Sequence, residues 1–435
     1  MKLVVRKSKL SGSVRIPGSK SHTIRAVVIA SLADGTSRVR EPLVASDTLS
    51  AFEAYRLLGA EPDGSDGDWL IRGVAGRPAV PENVIDVGNS GTTLYIALAS
   101  AALLDGTTVF TGDDQIRRRP AQPLIDALNA LGAKVESTRG NGMAPIVVRG
   151  PIRGGAVELD CSKTSQYVTS LLLNCPLAPQ DTVVEAENLI EKPYIEMTLR
   201  WLKEQRIEIE VTPSPGGKGW ADGAPCRFRI PGRQSYHAFD KAIPADWSSA
   251  TFFACAAAIT NSELTLVGLD VNDTQGDKAV VRMLSQMGAK VEQVPDGVRI
   301  TGGSLKGCEF DLADTPDALP AMAVTACFAE GETRLVNVPQ ARLKETDRIA
   351  VMREELSKMG ADIEELADGL VIRQSRLEAR SVHGHADHRV IMALAVAGIA
   401  LDGETTISTA EALSVTFPTF VELMRSVGAR IECEQ

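Results

Sequence analysis

Seven short segments in this chain combine residue types that can hold or move charge. The first, Ile16-Pro17-Gly18-Ser19-Lys20-Ser21-His22-Thr23-Ile24-Arg25, runs into an apolar helix that reaches Leu32. Small hydroxyl residues at a helix start leave backbone N–H groups exposed to an anion, and Lys20 and Arg25 add full positive charge. The spacing is not that of a nucleotide P-loop. Gly88-Asn89-Ser90-Gly91-Thr92-Thr93 is a second glycine- and hydroxyl-rich turn that opens a helix, and Ile116-Arg117-Arg118-Arg119-Pro120 puts three arginines in a row, one of which suffices to face a ligand. Ser162-Lys163-Thr164-Ser165-Gln166-Tyr167 joins hydroxyls and an amide at a helix start, a pattern able to cradle a phosphate. Each of these segments also reads as an ordinary cap or a solvated charge run.

The remaining three lie in the second half. Asp314-Thr315-Pro316-Asp317 enters a helix expected over 318–328, where an acid also suits the helix dipole. In Arg342-Leu343-Lys344-Glu345-Thr346-Asp347-Arg348, the four-residue spacing predicts Lys344 and Arg348 on one helix face, with salt bridging as the bland reading. His383-Gly384-His385-Ala386-Asp387-His388-Arg389 invites a metal, but no second cluster at ligand spacing supports one, and no metal is expected.

The elements that position these segments repeat. Leu-Gly-Ala, Met-Gly-Ala or Val-Gly-Ala ends an amphipathic stretch at Gly59, Gly132, Gly288, Gly360 and Gly428, so the unit recurs roughly every 70 residues, and the double gap after Gly132 hides a copy near Lys203 to Ile209 that lacks its glycine. A second mark, a polar turn before an alternating strand, appears at Asp34, Asp105, Gln180, Asn261, Glu330 and Asp402; alanine- and leucine-rich helices such as 94–104 and 390–401 precede it, and strands such as 107–111 follow. Glycine is expected to stop the helix at both marks. The fold class is therefore α/β, with six modules in two domains of three, joined near Ile230 to Pro244 where prolines and glycine break the pattern.

Composition narrows the function. A net charge of −10 on 435 residues excludes a general nucleic-acid binder but not a small anionic ligand met by a local cation cluster. Seven cysteines without a C-x-x-C pair signal neither a disulfide framework nor a zinc site. The absence of a signal-like N-terminus or a bilayer-length apolar run predicts a soluble cytoplasmic protein.

Taken in order, the segments resemble the enolpyruvyl transferases that act on 3-phosphoshikimate, most sharply in Pro-Gly-Ser-Lys-Ser at 17, Lys-Glu-Thr-Asp-Arg at 344 and Asp-His-Arg at 387. That resemblance implies six β-α-β-α-β-β units in an inside-out α/β barrel arrangement, with domains at 19–241 and at 1–18 plus 242–435 and a substrate cleft between them. It implies transfer of the enolpyruvyl group of phosphoenolpyruvate to the 5-hydroxyl of 3-phosphoshikimate, by a monomer needing no cofactor. By resemblance Lys20, Ser21, Arg25, Thr164, Ser165, Gln166, Asp317, Gln340 and Lys344 meet 3-phosphoshikimate, while Lys20, Gly91, Arg119, Gln166, Arg348 and Arg389 meet phosphoenolpyruvate. Asp317 is the implied base, and Glu345 or Lys20 the proton donor to the methylene carbon. Two substrates carrying about five to six negative charges would face six cations: Lys20, Arg25, Arg119, Lys344, Arg348 and Arg389. Without ligand those cations are expected to repel one another.

Several positions leave the family pattern. Val415 stands where a lysine is common, Gln340 replaces an asparagine, and Tyr95-Ile96 replace an arginine-proline pair. Glu191 replaces a serine near the expected phosphate, where a carboxylate is repulsive unless it turns toward Lys192. Three rival readings differ in observable ways. The transferase acting on UDP-N-acetylglucosamine typically carries a cysteine in the loop matching 113–119, and none is present here. A non-catalytic anion binder of this fold has no use for Asp317 with Glu345, and a metal hydrolase on the histidine-rich loop would show metal on elemental analysis.

Overall fold

The computed structural model describes residues 1–213 and 226–435. Within them the chain forms two compact units, Gly18–Ile243 and Met1–Pro17 with Pro244–Gln435.

Among the described residues each unit holds three four-stranded sheets built to one plan. In the clearest copy the strand Ile85–Asp86 leads into the helix Gly91–Ala101, then the strand Thr107–Thr111, the helix Gln122–Ala130 and the hairpin Lys134–Ser137 with Ile146–Arg149. The first two strands pair in parallel, as a helical crossover requires, and the hairpin adds antiparallel. Three sheets are completed by distant pieces of chain: Asp240–Ala242 adds parallel to Thr36–Arg40, Ser11–Arg15 adds parallel to Glu263–Val267, and Lys2–Arg6 inserts between Glu404–Ser408 and Arg430–Glu434.

The two helices of a module differ because their sequences differ. Ala279–Met287 is amphipathic, burying Val280, Met283, Leu284 and Met287 at three- and four-residue spacing. The crossover helices are apolar all round, and every residue is buried over Trp247–Ala258, Leu319–Cys327 and His388–Ile399 in one unit. The same holds over His22–Leu32, Thr93–Ala101 and Tyr167–Asn174 in the other. Three such helices form the centre of each unit, with sheets outside them. Alanine suits this place because it lets helix axes approach closely and loses no side-chain entropy.

The helix ends also correct details. The crossover helices run Gly91–Ala101, Leu319–Cys327 and His388–Ala400, a turn or less from the expected spans. Glycine takes positive φ at all five first-mark positions, for example Gly288 at 116°. In the sixth copy Arg206 adopts φ 59°. The same pair of closing bonds forms there: Arg206 N–H to the Lys203 carbonyl and Ile207 N–H to the Leu202 carbonyl, at 3.0 and 2.9 Å. The stop is therefore dictated by the fold, and a Cβ is carried into the left-handed region at a cost. Arg206→Gly should raise stability by about 1 kcal/mol, measured by urea denaturation; an unchanged midpoint would mean no strain is held there. Glycine is not uniform at the second mark, where Asn261 takes φ 48° and Gly106 does not turn left-handed.

Candidate functional site

Five of the seven singled-out segments occupy one place in the plan. Lys20, Gly91, Gln166, Asp317 and Arg389 all lie at or just before the start of a buried crossover helix. A helix N-terminus presents backbone N–H groups and the positive end of the helix dipole, which favours anions.

In the unit Gly18–Ile243, Lys20 Nζ bonds Asp47 Oδ2 at 3.0 Å, and Thr93 Oγ1 reaches the Asp47 carbonyl at 3.4 Å, tying the first module to the second. Arg25 is 2% exposed. Its guanidinium donates to Thr198 Oγ1, the Tyr194 carbonyl and the Ser21 carbonyl at 2.9, 2.9 and 3.0 Å. It has no carboxylate partner among the described residues. Burial therefore pulls its pKa down to about 10, with Tyr194 opposing.

Of the three successive arginines, Arg117 pairs with Asp114, Arg118 donates to the Asp114 carbonyl, and Arg119 turns inward. Arg119 lies against Gly91 so closely that a methyl on Gly91 would stand 2.4 Å from its Nη1. The next residue is pinned: Tyr95 and Tyr167 both donate to the Pro120 carbonyl, at 3.0 and 2.5 Å, and their rings meet edge to face. The sequence gives no sign that the two tyrosines share this target, which lies 25 and 47 residues away from them.

Ser165 precedes the helix Gln166–Asn174, and Gln166 Oε1 is buried with no hydrogen-bond partner. Glu191 reaches Thr164 and Ser165: its Oε2 accepts from Ser165 Oγ at 3.0 Å, Ser165 N–H at 3.3 Å and Thr164 Oγ1 at 3.4 Å. Its carboxylate thus lies on the residues expected to hold the phosphate.

In the other unit, Arg348 is 1% exposed and held by three carboxylates. It bonds Asp387 through Nε and Nη2 at 2.9 and 3.2 Å, Asp317 at 2.7 Å and Glu345 at 2.5 Å. Burial works against its charge, but Asp387, Glu345 and Asp317 outweigh it and hold the pKa above the ordinary arginine value. Arg389 joins the same group through Asp317 Oδ2 at 2.8 Å. Asp387 also caps the helix His388–Ala400 by accepting from Arg389 N–H at 2.9 Å.

Lys344 and Arg348 do not share a helix face. The segment 344–347 is not helical, because Asp347 caps Ala350 N–H and the helix starts at Arg348. Gln340 donates through Nε2 to the Ala313 carbonyl at 2.9 Å, while its Oε1 is buried without a partner. His388 has neither ring nitrogen bonded, and burial lowers its pKa to about 3, Glu345 and Asp387 resisting, so the imidazole is neutral.

The repulsion expected among the cations is relieved at Lys20, Arg348 and Arg389 by carboxylates of their own unit. Asp47 pairs with Lys20, and Asp317, Glu345 and Asp387 surround Arg348 and Arg389. The acid cluster absent from the sequence pattern also exists: Glu354 and Glu355 lie within 4.8 Å of His385. Lys358 Nζ bonds both acids, at 2.8 and 2.7 Å, and so supplies a cation there already.

Sequence reasoning missed the remaining helix start. Asp246 caps Trp247–Ile259 through Ser249, and Ser248 donates to buried Asp277, whose pKa is pushed up to about 6 by burial first and by Asp317 next. The repeat register could have flagged it, because Asp246 occupies the place of Ser90 and Asp387.

Fold and helix-start clusters define a class, a modular α/β protein furnished to hold small anions. Over residues 4–424 the chain matches the family described as EPSP synthase (3-phosphoshikimate 1-carboxyvinyltransferase). A Ruminiclostridium cellulolyticum protein named 3-phosphoshikimate 1-carboxyvinyltransferase is 54% identical over 432 residues, covering 99% of this chain and 100% of that protein. One of the same name from Acetivibrio thermocellus is 54% identical over 435 residues and the whole of both chains. A solved EPSP synthase from Acinetobacter baumannii superposes with a TM-score of 0.82 at 27% identity, each chain fully covered. The chain belongs to the EPSP synthase family, the enolpyruvyl transferases of the shikimate pathway.

Proposed function

We propose that the protein transfers the enolpyruvyl group of phosphoenolpyruvate to the 5-hydroxyl of 3-phosphoshikimate and releases phosphate. The observation that carries the residue assignment is Arg25, a buried guanidinium with no carboxylate partner among the described residues. A substrate carboxylate supplies the missing charge. Gln166 Oε1 and Gln340 Oε1, buried and unbonded, are further acceptors for ligand hydroxyl or N–H groups.

In this reading Lys20, Ser21 and Arg25 hold the acceptor's carboxylate end, Thr164, Ser165 and Gln166 its phosphate, and Gln340 and Lys344 its ring side. Gly91, Arg119, Arg348 and Arg389 take phosphoenolpyruvate, with Lys20 and Gln166 shared. Asp317, one-fifth exposed and held by two guanidiniums, takes the 5-hydroxyl proton in this reading. Glu345 or Lys20 protonates the methylene carbon, which makes the adjacent carbon open to attack by the 5-oxygen. Return of that proton with loss of phosphate restores the double bond, while the surrounding cations stabilise the moving charge. One chain carries every assigned residue, which favours action as a monomer, and seven free cysteines suit the reducing cytoplasm.

Phosphate release that requires both 3-phosphoshikimate and phosphoenolpyruvate tests the activity, with UDP-N-acetylglucosamine as competing acceptor. Turnover of the latter alone would overturn the reading. Gly91→Ala should raise KM for phosphoenolpyruvate about tenfold by displacing Arg119, a loss of the size of one charge-assisted hydrogen bond, and leave the acceptor KM unchanged. Equal phosphoenolpyruvate KM values in steady-state assays would remove this pair from the site.

A further inference from the structure

Glu191 precedes the helix Lys192–Glu204 with φ 53° and ψ 41°, a left-handed conformation that a residue with a Cβ keeps only when its surroundings enforce it. The turn carries the side chain inward, where it is 3% exposed. A single carboxylate oxygen then receives three donors, the N–H and Oγ of Ser165 and Oγ1 of Thr164, at 3.3, 3.0 and 3.4 Å. One oxygen on a backbone N–H and two hydroxyls beside a helix start is the arrangement a bound phosphate oxygen takes.

We infer that Glu191 is an internal occupant of the acceptor-phosphate subsite, a carboxylate that holds these donors in the free protein and is displaced when the acceptor's phosphate takes them. The inference rests on the reading above that Thr164 and Ser165 serve that phosphate. Two anions cannot use the same three donors, and a carboxylate left beside a phosphate repels it. Binding therefore includes ejecting Glu191, with the ammonium of the neighbouring Lys192 as the nearest cation in the sequence to receive it. Affinity for the acceptor is lowered, and the subsite is kept filled so that a weak anion does not settle there. Glu191 thus acts as a specificity-determining residue, set by a turn that no other assigned residue shares.

The test titrates the full-length protein, its E191S variant and its E191Q variant with 3-phosphoshikimate and, separately, with inorganic phosphate, by calorimetry. E191S should bind both about tenfold more tightly, and E191Q should shift the same way by less, since a neutral amide does not repel phosphate. KM for phosphoenolpyruvate should stay within about twofold, a split that a general loss of folding would not give. Unchanged or weaker binding of both ligands in folded E191S would overturn the inference; if E191S does not fold, E191Q decides by the same criterion. A wild-type protein that neither binds nor turns over 3-phosphoshikimate would sink the assigned reaction, whereas the inorganic phosphate titrations would still report on Glu191.

Discussion

Asp317→Asn should lower kcat by about a thousandfold, the middle of the range for removing a positioned general base, while the protein keeps its fold. The amide preserves the shape of the carboxylate and one acceptor for the guanidinium of Arg348, which lies 2.7 Å from Oδ1. It cannot take the proton of the attacking hydroxyl. Single-turnover phosphate release separates this from a binding defect, because saturating both substrates should not restore the rate. A variant within tenfold of the parent would move the base role to another group. Buried Asp277 is the first to examine, since its pKa of about 6 already responds to Asp317.

Arg348→Ala should destabilise its unit by about 3–5 kcal/mol and abolish activity, because it leaves Asp317, Glu345 and Asp387 facing one another without their shared cation. Asp387 and Glu345 are 0% and 8% exposed, so water cannot take over the lost interaction. Arg348→Lys should recover only part of the stability. A lysine keeps the charge but not the planar fork that reaches three carboxylates at once. Urea unfolding followed by intrinsic fluorescence, with Trp247 reporting on this unit, checks both variants. Equal midpoints for Arg348→Ala and the parent would show that the carboxylates find other partners.

Much of this architecture was legible because the relevant interactions are local. The spacing of Gly59, Gly132, Gly288, Gly360 and Gly428 marks helix ends, and a glycine stop is decided within a few residues of backbone. All-apolar alanine-rich stretches read directly as buried crossover helices. The same locality explains the errors. Helical spacing placed Lys344 beside Arg348, but Asp347 starts the helix one residue before Arg348 and thereby cancels the face. By contrast, the copy read near Lys203 to Ile209 without its glycine does form, with Arg206 taking the left-handed turn there.

The chain's own residues, taken in order, determined the six-module plan, the helix starts at which charged and hydroxyl groups gather, and the motifs that place it among enolpyruvyl transferases. Only tertiary structure decided how those charges are paired. Arg25 meets Thr198, 173 residues away, and Lys2–Arg6 completes a sheet with Arg430–Glu434. Arg348 finds Asp387 across 39 residues, and Glu191 lands on Ser165 across 26. Such pairings depend on which side chain stands opposite once the helices have packed, and a one-dimensional pattern of residue types carries no measure of that distance.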